Sequence, residues 1–408
     1  MKINLKGMTR PELERHLASM GEDAYRGRQI AEWLYRHGAS TFAEMTTLSK
    51  GLRARLDAEA RIGNLASVSE TASAGGDALK YLFRLEDGEA IETVLVRLAR
   101  GRSVCLSTQV GCPVGCAFCA TGALGFRRNL DAGEIVDQFL KVRAALPEGE
   151  RPTHVVFMGM GEPLLNLDGV EKAILILASP EGPALGPRRI TVSTCGIVPG
   201  IRRLAAAGLR TELAVSLIAA DESVRKSLFP LAGEYPLEDV VRAAGDYAAG
   251  IGRPVTFEYL LLRGVNDSRA DAQRLGRLIR GVSCKVNLIL YNPARGRRFE
   301  ASDESPTPPP RREALSPPPD SLTPTPRRAA FRPPSGSGGA QAARFEPSDE
   351  SRASEFRKWL GPSCIAVTVR RSKGAGIDAA CGQLRAGYDS TVSGTGYDST
   401  RTAPSLSE

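Results

Sequence analysis

The sequence predicts an α/β protein built from parallel β/α units, and three observations carry that class. From residue 103 onward, the apolar runs SVCLST, THVVFMG, RITVST, TELAVSL, PVTFEYLLL and KVNLILY alternate with stretches of helical periodicity such as AGEIVDQFLKVRAAL. Parallel strands need crossovers of this kind. The motifs QVGC, GMGEP, STCG and YNP fall at the C-terminal ends of those runs, where β/α folds gather their functional groups. With 408 residues, the chain is long enough for one large domain and a smaller one. The pattern suits an open doubly wound sheet, a full barrel or a partial one.

In chain order, residues 1–62 read as a helical accessory domain, because PELERHLASM and GRQIAEWLYRHG set Leu13, Leu17, Ile30, Trp33 and Leu34 at helical spacing. Residues 63–100 read as a β-hairpin extension, in which ALKYLFRL and AIETVLVRL alternate apolar and polar residues about the turn signal Asp87-Gly88. Residues 101–300 hold the β/α units. A proline-rich insert over 301–345 is expected to be disordered: residues 305–340 carry 11 of the 27 prolines, a composition that cannot bury a core. The octads RFEASDES (298–305) and RFEPSDES (344–351) bracket it. They suggest a tandem duplication, and only one copy can take the native position. Residues 346–386 bring a helix (SEFRKWL), a strand (CIAVTVRRS) and a loop holding Cys381, and 387–408 form a tail with GYDST twice, also expected to be disordered.

Lys and Arg exceed Asp and Glu by 54 to 46, for a net charge of +8 and a pI near 9.1. That balance suits a polyanionic partner without demanding one. The first twenty residues lack an apolar signal region, and no stretch approaches the ~18 apolar residues of a membrane span, so a soluble, cytoplasmic protein with no membrane partner is expected. Eight cysteines stand at 105, 112, 116, 119, 195, 284, 364 and 381, the first four within fifteen residues. Such uneven spacing argues against a secreted disulfide framework and for a metal or redox site in a reducing compartment.

The strongest motif is GCPVGCAFC, where Cys112, Cys116 and Cys119 follow a C-x3-C-x2-C spacing after a strand. Three thiolates on a four-iron cluster leave one iron open for another ligand, the arrangement that radical S-adenosylmethionine (SAM) enzymes use to bind and cleave SAM. A zinc knuckle is disfavoured, since structural zinc takes four ligands and no histidine lies within thirty residues of the loop. Phe118 suits packing on the adenine of SAM. In GMGEP, Gly159 and Gly161 let backbone approach a ligand, and Glu162 can accept from its ammonium group.

At these residues the chain resembles the dual-specificity RNA adenine methyltransferases of the RlmN type. The resemblance runs from about residue 23 to 386, the insert excepted, and is carried by YRGRQIAEWLYRHG, MTTLSKGLR, VCLSTQVGCPVGCAFCATGALGFRRNL, MGMGEPLLN, STCGIVPG, NLILYNP and GIDAACGQLR. It implies a partial (β/α)6 radical SAM barrel with the helical accessory domain and hairpin extension. It implies a [4Fe-4S] cluster on Cys112, Cys116 and Cys119, and two SAM per turnover. Phe118, Gly161, Glu162, Ser193, the segment Ser216, Leu217 and Ile218, and Asn292 would bind SAM. The implied activity is methylation of adenine carbon 2 in 23S ribosomal RNA, with transfer RNA as a second substrate, by a monomer that takes electrons from a donor such as flavodoxin or ferredoxin.

An adenine ring carbon is electrophilic, so SAM cannot methylate it by simple displacement. By resemblance, Cys381 first takes a methyl group, a 5′-deoxyadenosyl radical then abstracts one of its hydrogens, and the methylene radical adds to the base. Glu92 would remove the ring proton, and Cys105 would free the product by attacking Cys381 to form a transient disulfide. Arg26, Arg28, Arg36, Arg127, Arg128, Arg188 and Arg189 are candidates for holding phosphates. One departure stands out: the family reads SLHA where this chain has SLIA at 216–219, so Ile218 replaces a polar side chain facing the ligand. The sibling activity at carbon 8, of the Cfr type, shares every chemical residue named here; the WLY and MTTLSK segments favour carbon 2. An RNA-binding paralogue without activity is the alternative from another class, against which the retained Cys105, Cys112, Cys116, Cys119 and Cys381 argue.

Overall fold

The computed structural model describes residues 2–293, 345–361, 363–370 and 373–384; the first octad, nearly all of the insert and the tail lie outside them. The N-terminal module consists of β1 (Ile3–Asn4), α1 (Arg10–Ser19), α2 (Tyr25–Ala31), α3 (Lys50–Glu59) and β2 (Ala60–Arg61), with β1 and β2 paired in parallel. Thr9 and Glu12 form a capping box that starts α1. Helix α2 runs into a π-helical turn over Glu32–His37, closed by Gly38 at φ 75°. Leu13, Leu17, Ile30 and Leu34 are fully buried as their spacing predicts, while Trp33 is half-buried and donates to Thr47 Oγ1 at 2.8 Å. A Cβ on Gly27 would lie 2.5 Å from the Glu14 nitrogen, so α1 and α2 can touch only through glycine. A buried Lys6–Asp137 pair at 2.7 Å ties this module to the next helix layer, and the other Asp137 oxygen accepts from the Leu65 nitrogen at 2.7 Å. Losing one partner of such a pair typically costs ~3–5 kcal/mol, so the pair fixes how the two layers dock.

Next come β3 (Ala66–Ala72), β4 (Ala78–Arg84) and β5 (Ala90–Arg97), an antiparallel meander. The hairpin predicted about Asp87-Gly88 is β4–β5. Its extra strand, ASVSETA, is too polar and exposed to carry an apolar alternation. The extension is also not separate: β5 pairs with β6 (Arg102–Cys105), which opens the parallel array.

The chain then forms β7 (Gln109–Gly111), β8 (Phe126–Asn129), α4 (Ala132–Ala144), β9 (His154–Phe157), α5 (Leu167–Ala178), β10 (Ile190–Thr194), α6 (Val198–Ala206), β11 (Glu212–Ser216), α7 (Glu222–Leu228) and α8 (Leu237–Ile251). It continues with β12 (Val255–Leu261), α9 (Arg269–Leu278), β13 (Cys284–Leu290), α10 (Glu350–Leu360) and β14 (Ala366–Arg370). The ten-stranded sheet has the order β14-β13-β12-β11-β10-β9-β6-β5-β4-β3. It is parallel from β6 to β14 and does not close, β14 and β3 being its two edges. The parallel part therefore has seven strands rather than the six expected, because the C-terminal CIAVTVRRS run joins the same sheet beside β13.

The second octad is seated in the fold from Phe345 onward. Phe345 packs edge-on to Tyr291 at 6.2 Å, the Glu346 carbonyl accepts from the Arg263 nitrogen at 2.9 Å, Ser348 donates to Asp267 at 2.8 Å, and Asp349 caps α10.

Candidate active site

Strands β7 and β8 pair at the two ends of the cysteine loop and hold it as a closed excursion. The Cys112 nitrogen donates to the Gly125 carbonyl at 2.8 Å, and the Ala117 nitrogen to the Leu228 carbonyl at 2.9 Å. The loop turns through Gly115 at φ 66°. Gly122 lies so close that a Cβ there would meet the Cys116 nitrogen at 2.8 Å. Cys112, Cys116 and Cys119 all face one cleft of about 1000 Å³, its open mouth included, which is of the size that takes a cofactor. Burial pushes the Cys112 thiol up to about 12 and the Cys116 thiol well above its ordinary value.

Strand ends supply the opposite wall. Met158, Gly159, Gly161 and Glu162 follow β9, Ser193, Thr194 and Cys195 end β10, Ser216 and Ile218 end β11, and Glu258 and Leu260 come from β12. A Cβ on Gly159 would lie 2.6 Å from the Leu106 carbonyl oxygen, and one on Gly161, at φ 102°, 2.6 Å from Gln109 Cβ. Both glycines are thus fixed by packing of the turn against β6 and β7. Glu162 is buried, which raises its carboxyl above the ordinary value. Its oxygens accept from the Leu164 nitrogen at 3.0 Å and the Cys195 nitrogen at 2.8 Å. Phe118 meets Phe229 edge to face at 5.5 Å on an apolar wall that includes Ile218, Leu260 and Ile289.

The C-terminal loop closes this cleft. The Ala120 nitrogen donates to the Gly382 carbonyl at 2.7 Å and Thr121 Oγ1 to the Leu384 carbonyl at 2.6 Å, while Gln383 donates to the Pro293 carbonyl at 3.0 Å. Cys381 and Gly382 thereby line the same cleft as the three loop cysteines, although some 260 residues separate them in sequence. Cys105, at the end of β6, is within electrostatic range of Cys381, and desolvation pushes its thiol up to about 12.

Not every predicted residue reaches the cleft. Leu217 is fully buried, and only its backbone serves, donating to the Glu258 carbonyl at 3.0 Å. Asn292 donates to the Leu290 carbonyl at 3.2 Å, and its neighbour Tyr291 is the residue that lines the wall. Glu92 is 4% exposed on β5, paired with Lys80 at 3.0 Å. Lys80 in turn donates to the Asp378 carbonyl at 3.4 Å, so Glu92 stands at the base of the Cys381 loop. Among the candidate phosphate binders, Arg128 is committed to Asp87 at 2.6 Å and Glu134 at 2.8 Å, whereas Arg127 is exposed. Conversely, Thr194, Cys195, Glu258 and Arg370 line the cleft without having been predicted.

Among the described residues, no group of three His, Cys, Asp or Glu side chains closes around a single metal ion. Thiolates sharing one zinc would lie about 3.8 Å apart, given Zn–S bonds of ~2.3 Å, whereas in a four-iron cluster each thiolate takes its own iron and the sulfurs stand wider. Three thiols on one short loop, lining a cleft with room for a further ligand, fit that cluster.

Two family descriptions match this chain: "Ribosomal RNA large subunit methyltransferase N-terminal domain" over residues 3–62 and "Radical SAM superfamily" over residues 106–275. A probable dual-specificity RNA methyltransferase RlmN from Pelotomaculum thermopropionicum is 43% identical over 385 residues, covering 94% of this chain and 92% of its own. The chain belongs to the RlmN family of radical SAM RNA methyltransferases. A second relative of the same description, from Symbiobacterium thermophilum, is 42% identical over 381 residues, covering 93% and 91% of the two chains. The crystal structure of a radical SAM methyltransferase from Sphaerobacter thermophilus superimposes with a TM-score of 0.79 at 40% identity, over 94% of this chain and all of that one. Family membership thus brings an iron–sulfur cluster, SAM and an RNA substrate to this fold. No helix among the described residues is long and apolar enough to cross a membrane.

Ile218 can now be read in this setting. It sits at φ 63°, a left-handed conformation that costs an ordinary L-residue ~1–2 kcal/mol and is especially unfavourable for a β-branched one. The bend is held from outside: the Ile218 carbonyl accepts from Asn266 at 2.7 Å, and the Leu217 and Ile218 nitrogens both donate to the Glu258 carbonyl. The backbone that presents residue 218 to the cleft is therefore intact, and only the polar side chain is missing. Ile218→His is expected to raise SAM affinity about fivefold, the worth of one hydrogen bond of ~1 kcal/mol. Equilibrium binding to cluster-loaded protein checks this; unchanged affinity would remove residue 218 from the binding set.

Proposed function

We propose that the chain methylates carbon 2 of adenine in 23S ribosomal RNA and in transfer RNA, by way of a methyl group carried on Cys381 and released by disulfide formation with Cys105. The single observation that carries this reading is that Cys381 lines the same cleft as Cys112, Cys116 and Cys119, with Cys105 close enough to interact with it electrostatically. A thiol needed only for packing has no reason to be delivered there by a loop pinned to the cluster loop at two points.

Once bound, the cluster and SAM supply a transferable methyl group and the means of removing one of its hydrogens, with a flavodoxin or ferredoxin as the electron source. Cys112, Cys116 and Cys119 would hold the cluster. Glu162, Ser193, Gly161 and the 216–218 backbone would orient SAM, with Phe118 and Ile218 on its apolar side. Cys381 gives up its proton and its sulfur takes the methyl. After the carbon–carbon bond to the base has formed, Glu92 accepts the ring proton, with the loop at Asp378 as the element that brings the two together. The unpaired electron that the addition leaves on the base would return to the bound cluster. Cys105 then gives up its proton and bonds to the Cys381 sulfur as that sulfur leaves carbon. The carbon keeps the electron pair and takes up a proton to complete the methyl group, and the resulting disulfide needs two electrons for its reduction. RNA phosphates fall to exposed cations such as Arg127, and the target base would have to leave its stack to reach the cleft.

Nucleoside mass spectrometry on ribosomal and transfer RNA, from cells with and without the gene, tests the reading. The expected outcome is 2-methyladenosine that disappears with the gene. If 8-methyladenosine disappears instead, the carbon 8 activity is correct; loss of neither leaves a binding protein.

A further inference from the structure

Between the end of the cleft that Glu162 occupies and the apolar wall of Ile218, Leu260 and Ile289 stands an acidic side chain that the mechanism above does not use. Glu258, on β12, is 5% exposed and lines the cleft. Burying a carboxylate is costly unless it is hydrogen-bonded, and the register of the sheet supplies the support. Ser216 pairs with Glu258, Glu258 with Asn287 and Asn287 with Thr368, so these four form one row across β11 to β14; Leu260 and Ile289 stand in the next row, two residues further along. Residues two apart on a strand share a face. Thr368 Oγ1 donates to Asn287 Oδ1 at 2.8 Å, and Asn287 Nδ2 donates to Glu258 Oε2 at 2.9 Å. The oxygen of the Asn287 amide is thus taken, and its amino group is aimed at the carboxylate.

That contact commits only one oxygen. Arg370 also lines the cleft, but among the described residues neither it nor any other group makes a hydrogen bond or ion pair with Glu258 Oε1. Oε1 is therefore an acceptor with room for a ligand's donor. Backbone fixes where along a ligand it acts. The Leu217 and Ile218 nitrogens donate to the Glu258 carbonyl at 3.0 and 3.3 Å, which ties the carboxylate to the 216–218 segment of the SAM-binding set. Glu162, at the ammonium end, accepts from the Cys195 nitrogen just past β10. In the sheet β12 lies two strands from β10, ~10 Å at the ~4.8 Å spacing of neighbouring strands. That separation suits the homocysteine arm of SAM, which brings Glu258 level with the sugar and leaves Leu260 and Ile289 to the purine.

We propose that Glu258 binds the ribose of SAM, its Oε1 accepting from a sugar hydroxyl while Asn287 and Thr368 hold Oε2. A carboxylate is the group that dinucleotide-binding folds set against a ribose hydroxyl, because it accepts where a hydroxyl can always donate. Ser216, beside Glu258 in the row and likewise on the cleft, is placed to serve the neighbouring hydroxyl. The amino group of a target adenine is the other donor that could enter the cleft. The sugar is favoured because Glu258 and the 216–218 segment are joined through backbone and must meet the same ligand. The inference rests on the reading of this cleft as the SAM site.

The test uses the full-length, cluster-loaded protein and measures, by equilibrium dialysis, binding of S-adenosylhomocysteine, which has no methyl group to transfer, and of its 2′-deoxy and 3′-deoxy analogues. Wild type should bind at least one analogue about tenfold more weakly than the parent compound, the worth of a hydrogen bond to a charged group. Glu258→Ala should bind that analogue and the parent within about twofold of each other. In Glu258→Gln the side-chain oxygen must turn to Asn287, which leaves an uncharged amide for the sugar, so the ratio should shrink to about threefold or less. Should Glu258→Ala fail to fold or to hold its cluster, the glutamine variant decides. General loosening of the wall would weaken all these ligands alike and leave their ratios as in wild type; that result overturns the proposal, as does a wild type indifferent to both hydroxyls. RNA with purine in place of the target adenine gives a further arm. Weaker binding of it than of the adenine form by wild type, but not by Glu258→Ala, would assign Glu258 to the base's amino group and overturn the ribose assignment. Failure of wild type to bind S-adenosylhomocysteine at all would overturn the SAM reading of the cleft together with the proposal.

Discussion

Cys116→Ala is expected to leave the protein folded but without a stable four-iron cluster, and to lower RNA methylation by at least about a thousandfold, a loss of ~4 kcal/mol or more in transition-state stabilisation. Fold and cluster separate because the loop has its own supports. The Cys112 nitrogen is satisfied by Gly125 and the Ala117 nitrogen by Leu228, and β7–β8 closes the excursion without help from the thiols. The melting temperature of the metal-free variant should therefore match that of metal-free wild type. Iron and sulfide analysis after anaerobic reconstitution reads the cluster directly. A variant with a full, stable cluster would show that Cys116 is not one of its ligands.

Much of this site was legible because its cysteines and glycines are local signals. C-x3-C-x2-C and GMGEP carry their chemistry within a few residues, and the glycines are demanded by contacts that a single turn makes. The seventh parallel strand was visible as a strand, but its place was not, since its partner β13 lies across the insert and pairing over such a gap leaves no local trace. The polar row was hidden differently. Glu258 and Asn287 sit mid-strand, where alternation reads as an ordinary two-faced strand, and only the sheet's register reveals that their common face is the inside. One signal was available: Glu258 is a lone carboxylate in the apolar run TFEYLLL, and a charge in a strand buried on both faces calls for a partner. Glu92, Leu217 and Asn292 mark the converse limit: family resemblance named them, but the sequence could not say that Glu92 pairs with Lys80 or that the Leu217 nitrogen donates to the Glu258 carbonyl.

The ordering of Cys381 and Cys105 gives the other large effect. Methyl capture by Cys381 and formation of the bond to the base need no second thiol, whereas breaking the carbon–sulfur bond afterwards needs a sulfur that can pair with the one departing. Cys105→Ala is therefore expected to accumulate enzyme covalently bound to RNA. Cys381→Ala should form no adduct and no methylated adenine, and the double variant should behave as Cys381→Ala does. The position of Cys105 sharpens the prediction: desolvation holds its thiol up to about 12, so at neutral pH it is protonated and a poor nucleophile until the reaction itself calls on it. If Cys105 were only packing at the end of β6, its replacement by alanine would cost about 1 kcal/mol of stability and leave turnover intact. Denaturing gels of variants purified from cells, with and without nuclease, distinguish the two. A slow, nuclease-sensitive band for Cys105→Ala alone supports the sequence of events; its absence, with wild-type protein active, would remove Cys105 from the mechanism.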